Sequence, residues 1–276
     1  NVEIVVTENN SVFSNPGKQS TSLVNGLYLA DSIANVMTTQ INAFMWWAVR
    51  NGTPTDNGNI TGNMSSSLYG WRMYGDYGMI STPVSGGATG YYTPYPTYYA
   101  MKLLSKFARD RDIVVKTTSN NSLLPVFAVT HADNSLSLLV INKDPNNTLQ
   151  GNIALSNFTP GSTANVYSYG KPQDDAAKPN GSGSTDLATS TMSISGSTFS
   201  ASFAPYSATV ITIAVGTGTP TTPTTPTTPT TPTTPTTPSG GGGGGGGGGA
   251  PSVWFLGVLA VVAATRVRWA SRSARR

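Results

Sequence analysis

The chain has 276 residues, of which 10% are charged and none is cysteine. The lack of cysteine excludes a disulfide scaffold and a thiolate metal site, and the single histidine, His131, disfavours a multi-histidine metal centre or a histidine-based triad. We therefore expect no metal and no cofactor. Five of the 16 basic residues fall in the last eleven positions, which leaves 11 basic residues against 12 acidic ones and disfavours nucleic-acid binding.

The first 112 residues have the pattern of an α/β unit. A β-branched run at residues 2–7 predicts a buried strand, and apolar residues recur at helical spacing over residues 19–38. A second strand is predicted at residues 42–49 and a second helix at residues 97–109, with a loop rich in glycine, serine and tyrosine between them. This alternation predicts that the two strands pair in parallel.

Residues 113–216 have a different pattern. Eight short runs with β-branched and aromatic residues, separated by turn clusters such as 132–135 and 144–147, predict an antiparallel β-sandwich. Because about 100 residues with their own alternating strands can close a core, we expect this domain to fold independently.

Two segments follow that do not have the composition of a packed domain. Residues 217–252 hold a Thr-Thr-Pro repeat and then ten consecutive glycines, which predicts a disordered linker. Residues 253–265 are an apolar run of thirteen, followed by an arginine cluster. The run reaches the ~20 residues of a membrane-spanning helix if Arg266 and Arg268 extend their charged ends to the membrane surface.

This tail resembles the bacterial C-terminal sorting tails of the GlyGly-CTERM type. The resemblance lies in the glycine run, the short apolar helix and the arginine-rich end of residues 240–276. It implies export, retention in the membrane and often later cleavage near the glycines. We expect a transmembrane helix at residues 253–276 that keeps the body at the cell surface; the alternative is a helix buried in the body.

One acidic residue stands at a position suited to chemistry. Glu8 ends the first predicted strand and is followed by Asn9, Asn10 and Ser11. In a (β/α) barrel the carboxyl ends of the strands face the active site, so a carboxylate there is placed to act as a nucleophile or a base. The alternative is a solvated glutamate at the end of a strand.

Aromatic residues end the second predicted strand. Trp46 and Trp47 are adjacent, so one faces the barrel interior and the other faces the surrounding helices. An exposed tryptophan at this end suits stacking on the C–H face of a sugar, whereas the alternative is that both belong to a core. The loop after this strand adds candidate subsite residues, namely Tyr69, Arg72, Tyr74, Asp76 and Tyr77.

Three stretches of sequence resemble a known family. They are TENNSVFSNPGKQSTSLVNGLYLAD, NAFMWWAVRNG and TPYPTYYAMKLLSKF. They resemble the last two β/α units of bacterial α-L-arabinofuranosidase-type glycoside hydrolases, which belong to a clan of retaining (β/α)8 glycosidases. The resemblance implies that Glu8 is the nucleophile on strand seven and that Trp47 lines the sugar site. The further candidates for substrate binding are Asn9, Trp46, Arg72 and Tyr74.

The resemblance also implies that a second carboxyl group is needed. Retaining hydrolysis uses two carboxyls about 5–5.5 Å apart. The other glutamate, Glu3, lies five residues earlier in the same strand, at a distance of about 16 Å. Because the sequence opens inside a strand with no signal peptide, we expect a fragment whose remaining strands and second glutamate lie upstream of Asn1.

The predicted fold is thus the last two β/α units of a truncated (β/α)8 barrel, then an antiparallel β-sandwich, a disordered linker and a C-terminal transmembrane helix. The predicted function is that of a fragment of a cell-surface glycoside hydrolase, inactive alone, that cleaves arabinose- or xylose-containing plant polysaccharide with retention. Its expected partners are a polysaccharide or oligosaccharide substrate and the membrane. The alternatives are a membrane-anchored carbohydrate-binding or adhesive module without catalysis, and a structural stalk with an incidental body.

Overall fold

A computed structural model of the chain describes residues 2–13, 16–51, 65–67, 69–82 and 92–217. These residues belong to one compact unit, Asn1–Thr225. Among them, no helix is both long enough and apolar enough to cross a membrane. The predicted anchor at residues 253–276, and all of the predicted linker except Thr217, lie outside the described residues.

The N-terminal part consists of two strands and two helices in the predicted order. Their bounds are β1 Val5–Asn9, α1 Leu23–Met37, β2 Ala43–Trp46 and α2 Pro96–Phe107. The strands pair in parallel, as predicted, with Val5 opposite Ala43. Each element is shorter than its predicted range, because hydrophobic periodicity locates a segment better than it locates the residues where regular hydrogen bonding ends.

Local chemistry explains where α1 begins and how closely the helices pack. Ser22 caps the helix, and its Oγ accepts a hydrogen bond from the Asn25 N–H at 3.4 Å. Gly26 faces the first turn of α2, where an added Cβ would lie 2.8 Å from the Pro96 carbonyl oxygen. Only glycine therefore allows the two helices to approach this closely.

Eight strands follow, as predicted, and all their pairings are antiparallel. Their bounds are β3 Ile113–Val115, β4 Val126–Thr130, β5 Leu136–Asn142, β6 Leu149–Ala154, β7 Pro160–Gly170, β8 Ala188–Ser193, β9 Thr198–Phe203 and β10 Ser207–Val215. Six strands form one sheet in the order β3-β4-β5-β10-β7-β8, and β6 and β9 form a second sheet. The two sheets together are the predicted sandwich.

One further element was not predicted. Helix α3, Lys171–Ala176, follows β7 directly. Its start is closed by the Gln173 side chain, whose Oε1 accepts a hydrogen bond from the Gly170 N–H at 2.9 Å. The helix is too short for hydrophobic periodicity to reveal it.

The middle of the six-stranded sheet is buried on both of its faces, at β5 and along most of β10. One face packs against α1 and α2, in a core that includes Leu103 and Leu139. The other face packs against the β6-β9 sheet, in a second core that includes Leu138 and Phe203. Because successive side chains of a strand point to opposite faces, all seven residues of the central strand β5 are buried.

The helix-side core crosses the predicted boundary between residues 112 and 113. The rings of Tyr99 on α2 and Tyr169 on β7 stack with their centroids 4.9 Å apart. Lys143, which follows β5, donates from Nζ to Asp31 Oδ2 on α1 at 2.8 Å. An isolated sandwich would expose this apolar face to water, so we expect residues 113–217 alone to fold but to be less stable than the same residues in the longer chain.

The shared core predicts a stability effect that depends on the presence of the helices. In residues 1–217, Leu139→Ala should lower the free energy of unfolding by about 2–5 kcal/mol, because Leu139 is 0% exposed on the helix side. In residues 113–217 alone, the same change should lower the free energy of unfolding by no more than about 0.5 kcal/mol, because the Leu139 side chain is then already in contact with water. Denaturant unfolding measures both values.

The matched control is Leu138→Ala, in the neighbouring residue on the opposite face of β5. Its cost should be similar in the two chains, because β6 and β9 cover Leu138 in both. An equal cost of Leu139→Ala in both chains would contradict the shared core.

Candidate functional site

A cavity of ≈ 260 Å³ opens at the carboxyl ends of β1 and β2. This is the end at which parallel α/β folds place their sites. The cavity is lined by Glu8, Asn9, Asn10, Val12, Phe13, Trp47 and Tyr77. Three residues predicted from the sequence, the candidate nucleophile Glu8 and the candidate sugar-binding residues Asn9 and Trp47, therefore meet in one place.

The end of β1 sets the position of the acidic group. Glu8 is exposed and lines the cavity. The next residue, Asn9, continues the pairing with β2, since its carbonyl oxygen accepts a hydrogen bond from the Trp47 N–H at 2.9 Å. The Asn9 Oδ1 atom is buried and has no hydrogen-bond partner among the described residues.

The two tryptophans point to opposite sides of β2, as the alternation of a strand requires. Trp46 packs against the helix-side core. Trp47 lies on the cavity side, where its side chain is 49% exposed, and the Trp47–Ala48 peptide bond is cis. One large aromatic face is thus presented to the cavity beside Glu8.

Asn10 joins the parts of the chain that form the cavity. Its Nδ2 donates to the Trp47 carbonyl oxygen and, at 3.4 Å, to the Tyr77 carbonyl oxygen. Its Oδ1 accepts from the Ser11 N–H at 2.7 Å and from Asn25 Nδ2 at 3.2 Å. One amide side chain therefore connects the ends of both strands, helix α1 and the loop that follows β2.

The loop after β2 is held by a buried carboxylate. The Asp76 N–H donates to Ser20 Oγ at 3.0 Å, and the carboxylate accepts from the Gly78 N–H at 2.8 Å and from the Tyr95 hydroxyl at 3.2 Å. Burial raises the pKa of Asp76 above its usual value. Because Asp76 is 0% exposed, it fixes the loop from inside, while its neighbour Tyr77 reaches the cavity.

Three predicted substrate-binding residues are not brought to the cavity. Trp46 lies on the helix side of β2, for the reason given above. Arg72 is 3% exposed, because its guanidinium pairs with Asp174 of the sandwich at 2.8 Å. Tyr74 is half-buried, with its ring centroid 6.1 Å from that of Tyr95. In this structure these three side chains support the cavity wall and do not line it.

His131 is hydrogen-bonded inside the sandwich on both of its ring nitrogens. Its Nδ1 lies 2.7 Å from Asp112 Oδ2, and its Nε2 lies 2.7 Å from Ser137 Oγ. The order resembles an Asp-His-Ser triad, but Ser137 is 0% exposed and cannot meet a substrate. Among the described residues there is no group of three or more His, Cys, Asp or Glu side chains that could hold a metal ion.

Sequence comparisons give no match: no family model fits the chain, and no curated protein is similar to it. Solved structures do match. The catalytic domain of the GH30 xylanase C from Talaromyces cellulolyticus superposes with a TM-score of 0.52 and 20% identity, over 78% of this chain and 41% of that one. The GH51 α-L-arabinofuranosidase from Thermotoga petrophila gives a TM-score of 0.51 and 16% identity, over 76% of this chain and 43% of that one.

A third solved structure matches the chain to a similar extent. The bifunctional glucanase-xylanase CelM2 from a metagenome library matches with a TM-score of 0.51 and 19% identity, over 78% of this chain and 31% of that one. The chain spans less than half the length of each of these proteins. At such identities the likeness shows the fold alone, which is that of glycoside hydrolases with a (β/α)8 barrel, matched over a part of their length.

Sequence reasoning missed the roles of three cavity residues. Asn10 was noted only as a neighbour of Glu8, and Val12 and Phe13 were not singled out. The signal in the sequence was the run of polar residues that follows the first apolar strand. A loop that begins at the carboxyl end of a parallel strand borders the site, so the residues of this loop were candidates. Tyr77 was one of five loop candidates, and no feature of the sequence separated it from Tyr74.

The hydrogen bonds of Asn10 predict a stability effect. Asn10→Ala should lower the free energy of unfolding by about 1–3 kcal/mol, because the carbonyl groups of Trp47 and Tyr77 lose their shared donor. Asn10→Asp should cost more, since a carboxylate would face two carbonyl oxygens. The control is Ser11→Ala, whose buried Oγ has no hydrogen-bond partner among the described residues and should cost little. Denaturant unfolding measures all three, and equal costs for Asn10→Ala and Ser11→Ala would contradict this role.

Proposed function

We propose that the chain is the C-terminal part of a retaining glycoside hydrolase and that the cavity at the ends of β1 and β2 is part of its sugar site. The observation that carries this proposal is the position of Glu8. It is an exposed carboxylate at the carboxyl end of a parallel strand, in one cavity with the exposed ring of Trp47 and with Asn9. The glycoside hydrolase fold supports the proposal independently.

Each of the three residues has a defined part in the proposed reaction. The Glu8 carboxylate attacks the anomeric carbon, the glycosidic C–O bond breaks and a glycosyl ester forms. Water then cleaves the ester, which releases the sugar and restores the Glu8 carboxylate. Trp47 stacks on the C–H face of the sugar, and Asn9, which also lines the cavity, contacts the sugar.

The mechanism needs a second carboxyl group to protonate the leaving oxygen and to activate the water. Among the described residues that line the cavity, Glu8 is the sole carboxylate. Glu3 is about 16 Å away along the strand direction. We infer that the general acid/base is contributed by a part of the barrel that this chain does not contain, and that the chain is inactive alone.

The names of the proteins with this fold support a proposal for the substrate class. Two of the three solved structures are named as xylanases and one as an α-L-arabinofuranosidase. We propose a plant polysaccharide that contains arabinose or xylose, with an α-L-arabinofuranoside as the first substrate to test.

The role of Glu8 predicts a loss of turnover in the assembled enzyme. Glu8→Gln should lower kcat by at least about 10³-fold, because the amide is close to the carboxylate in shape but cannot act as the nucleophile. The matched control is Glu3→Gln, five residues earlier in the chain and before β1, which should leave kcat unchanged. Hydrolysis of aryl α-L-arabinofuranosides and aryl xylosides measures the effect, and a mechanism-based sugar inhibitor should label Glu8.

Two results would count against this proposal. Labelling of a different carboxylate would remove Glu8 from the role of nucleophile. Sugar binding without turnover in the assembled protein would favour the alternative of a carbohydrate-binding module, for which the single carboxylate of the cavity is sufficient.

We also propose that the protein is held at the cell surface by residues 253–276. The support is the apolar run of thirteen residues, which is followed by an arginine cluster. Positively charged residues next to a membrane span favour the cytoplasmic side, so the arginines are expected there. The full-length protein should fractionate with membranes, whereas a chain that ends at Gly216 should be recovered in the soluble fraction. Immunoblots of the two fractions measure this, and recovery of both chains in the soluble fraction would contradict the anchor.

A further inference from the structure

A buried ion pair connects the loop after β2 to the sandwich. Arg72 Nη1 lies 2.8 Å from Asp174 Oδ1, and the two side chains are 3% and 1% exposed. Arg72 precedes the cavity residue Tyr77 in the loop, and Asp174 lies on α3 of the sandwich. Removing two charges from water costs free energy, so such a pair contributes more to a defined geometry than to stability.

Several contacts fix the orientation of this guanidinium. Arg72 Nη1 also donates to the Thr21 carbonyl oxygen at 3.0 Å. The Arg72 Cζ atom lies 4.1 Å from the centre of the Trp71 ring, at cation–π distance. Nearby, the ring of Tyr69 meets that of Tyr206 edge-on at 5.1 Å. The loop is therefore attached to the sandwich by an ion pair and by an aromatic contact.

A continuous series of contacts leads from Arg72 to the cavity. Thr21, whose carbonyl oxygen holds Arg72, donates from Oγ1 to the Tyr74 carbonyl oxygen at 3.1 Å. Gly75 packs directly on the chain at Pro16, where an added Cβ would lie 1.8 Å from the carbonyl oxygen. The Tyr77 carbonyl oxygen then accepts from the Ala48 N–H at 2.9 Å, next to Trp47. These contacts restrict the conformations that the loop between Arg72 and Tyr77 can adopt.

We propose that Arg72 and Asp174 are positioning residues for the sugar site, through which the sandwich holds Tyr77 and Trp47 in place. The proposal rests on the proposed function, because the site in question is the cavity at Glu8. In this proposal the sandwich contributes to the geometry of that site. Arg72, expected from the sequence to bind substrate, would instead act on substrate binding through the loop.

A second ion pair between the helices and the sandwich provides a matched control. Lys102 on α2 lies 2.6 Å from Asp186, and the two side chains are 38% and 52% exposed. This pair also connects a helix of the N-terminal part to the sandwich, but among the described residues the hydrogen bonds of its two side chains lie between Lys102 and Asp186 and within residues 184–187, away from the loop after β2 and the cavity. An exposed pair of this kind contributes little to stability.

The test is hydrogen exchange on the full chain. Arg72→Met leaves Asp174 buried without a partner and can destabilise the whole fold, so the informative variant is the double change Arg72→Met with Asp174→Leu, which buries no unpaired charge. The amides of Ala48 and Met79 report on the loop, since they donate to the carbonyl oxygens of Tyr77 and Ala48. The amides of Leu139 and Val210, in the β5–β10 pairing, report on the sandwich.

The double variant should raise exchange at Ala48 and Met79 at least tenfold and leave exchange at Leu139 and Val210 unchanged. Arg72→Lys, which keeps the charge, should give a smaller rise, and Lys102→Met should give none. An unchanged rate at Ala48 and Met79 would overturn the proposal. An equal rise at all four amides would also overturn it, because the pair would then act on global stability alone.

Activity of the assembled enzyme separates this proposal from the proposed function. The double variant should lower kcat/KM at least tenfold, and Lys102→Met should leave it unchanged. Normal kcat/KM in the double variant, in an enzyme that Glu8→Gln inactivates, would overturn the positioning role. If Glu8→Gln has no effect on turnover, the proposed function fails, while the exchange result still decides whether the ion pair holds the loop.

Discussion

The burial of both faces at the middle of the six-stranded sheet is the constraint on which the rest of the structure depends. Strands β5 and β10 lie in the middle of this sheet and are rich in Leu, Val and Ile. Helices α1 and α2 cover one face, and the β6-β9 sheet covers the other. Helices α1 and α2 therefore bury their apolar residues against the sandwich, and the sandwich buries one face of its larger sheet against these helices.

This shared core explains how two β/α units can hold a site. Two parallel strands alone form a narrow sheet with exposed apolar residues, such as Val5 and Met45. The helices that follow each strand are fixed on the large sheet, so the carboxyl ends of β1 and β2 are fixed as well. Side-chain and backbone hydrogen bonds then close the cavity, with Asn10 at the centre and Asp76 inside the loop.

In the proposed function, the cavity supplies one half of a retaining glycosidase site. The described residues that line it include one carboxylate, Glu8, and one exposed tryptophan ring, Trp47, at the carboxyl ends of β1 and β2. The second half of such a site is an acid at about 5–5.5 Å from the nucleophile.

Much of this organisation could be predicted from the sequence. Local patterns were sufficient for the four elements of residues 1–112 and for the eight strands after them, because periodicity and turn residues act over a few positions. The position of Glu8 and of the Trp46–Trp47 pair at strand ends was also readable, since a parallel α/β order puts those ends together. The two-residue period further required the tryptophans to face opposite sides.

Only the tertiary structure decided which of these residues meet. Trp47 reaches the cavity and Trp46 does not, because the helices lie on one side of β2. Arg72 has the type and place of a substrate ligand in the sequence, yet it pairs with Asp174, 102 residues later. A partner at that distance leaves no local pattern. The same holds for the helix-side core: the long apolar runs of β5 and β10 are compatible with several partners, and long-range packing alone selects α1 and α2.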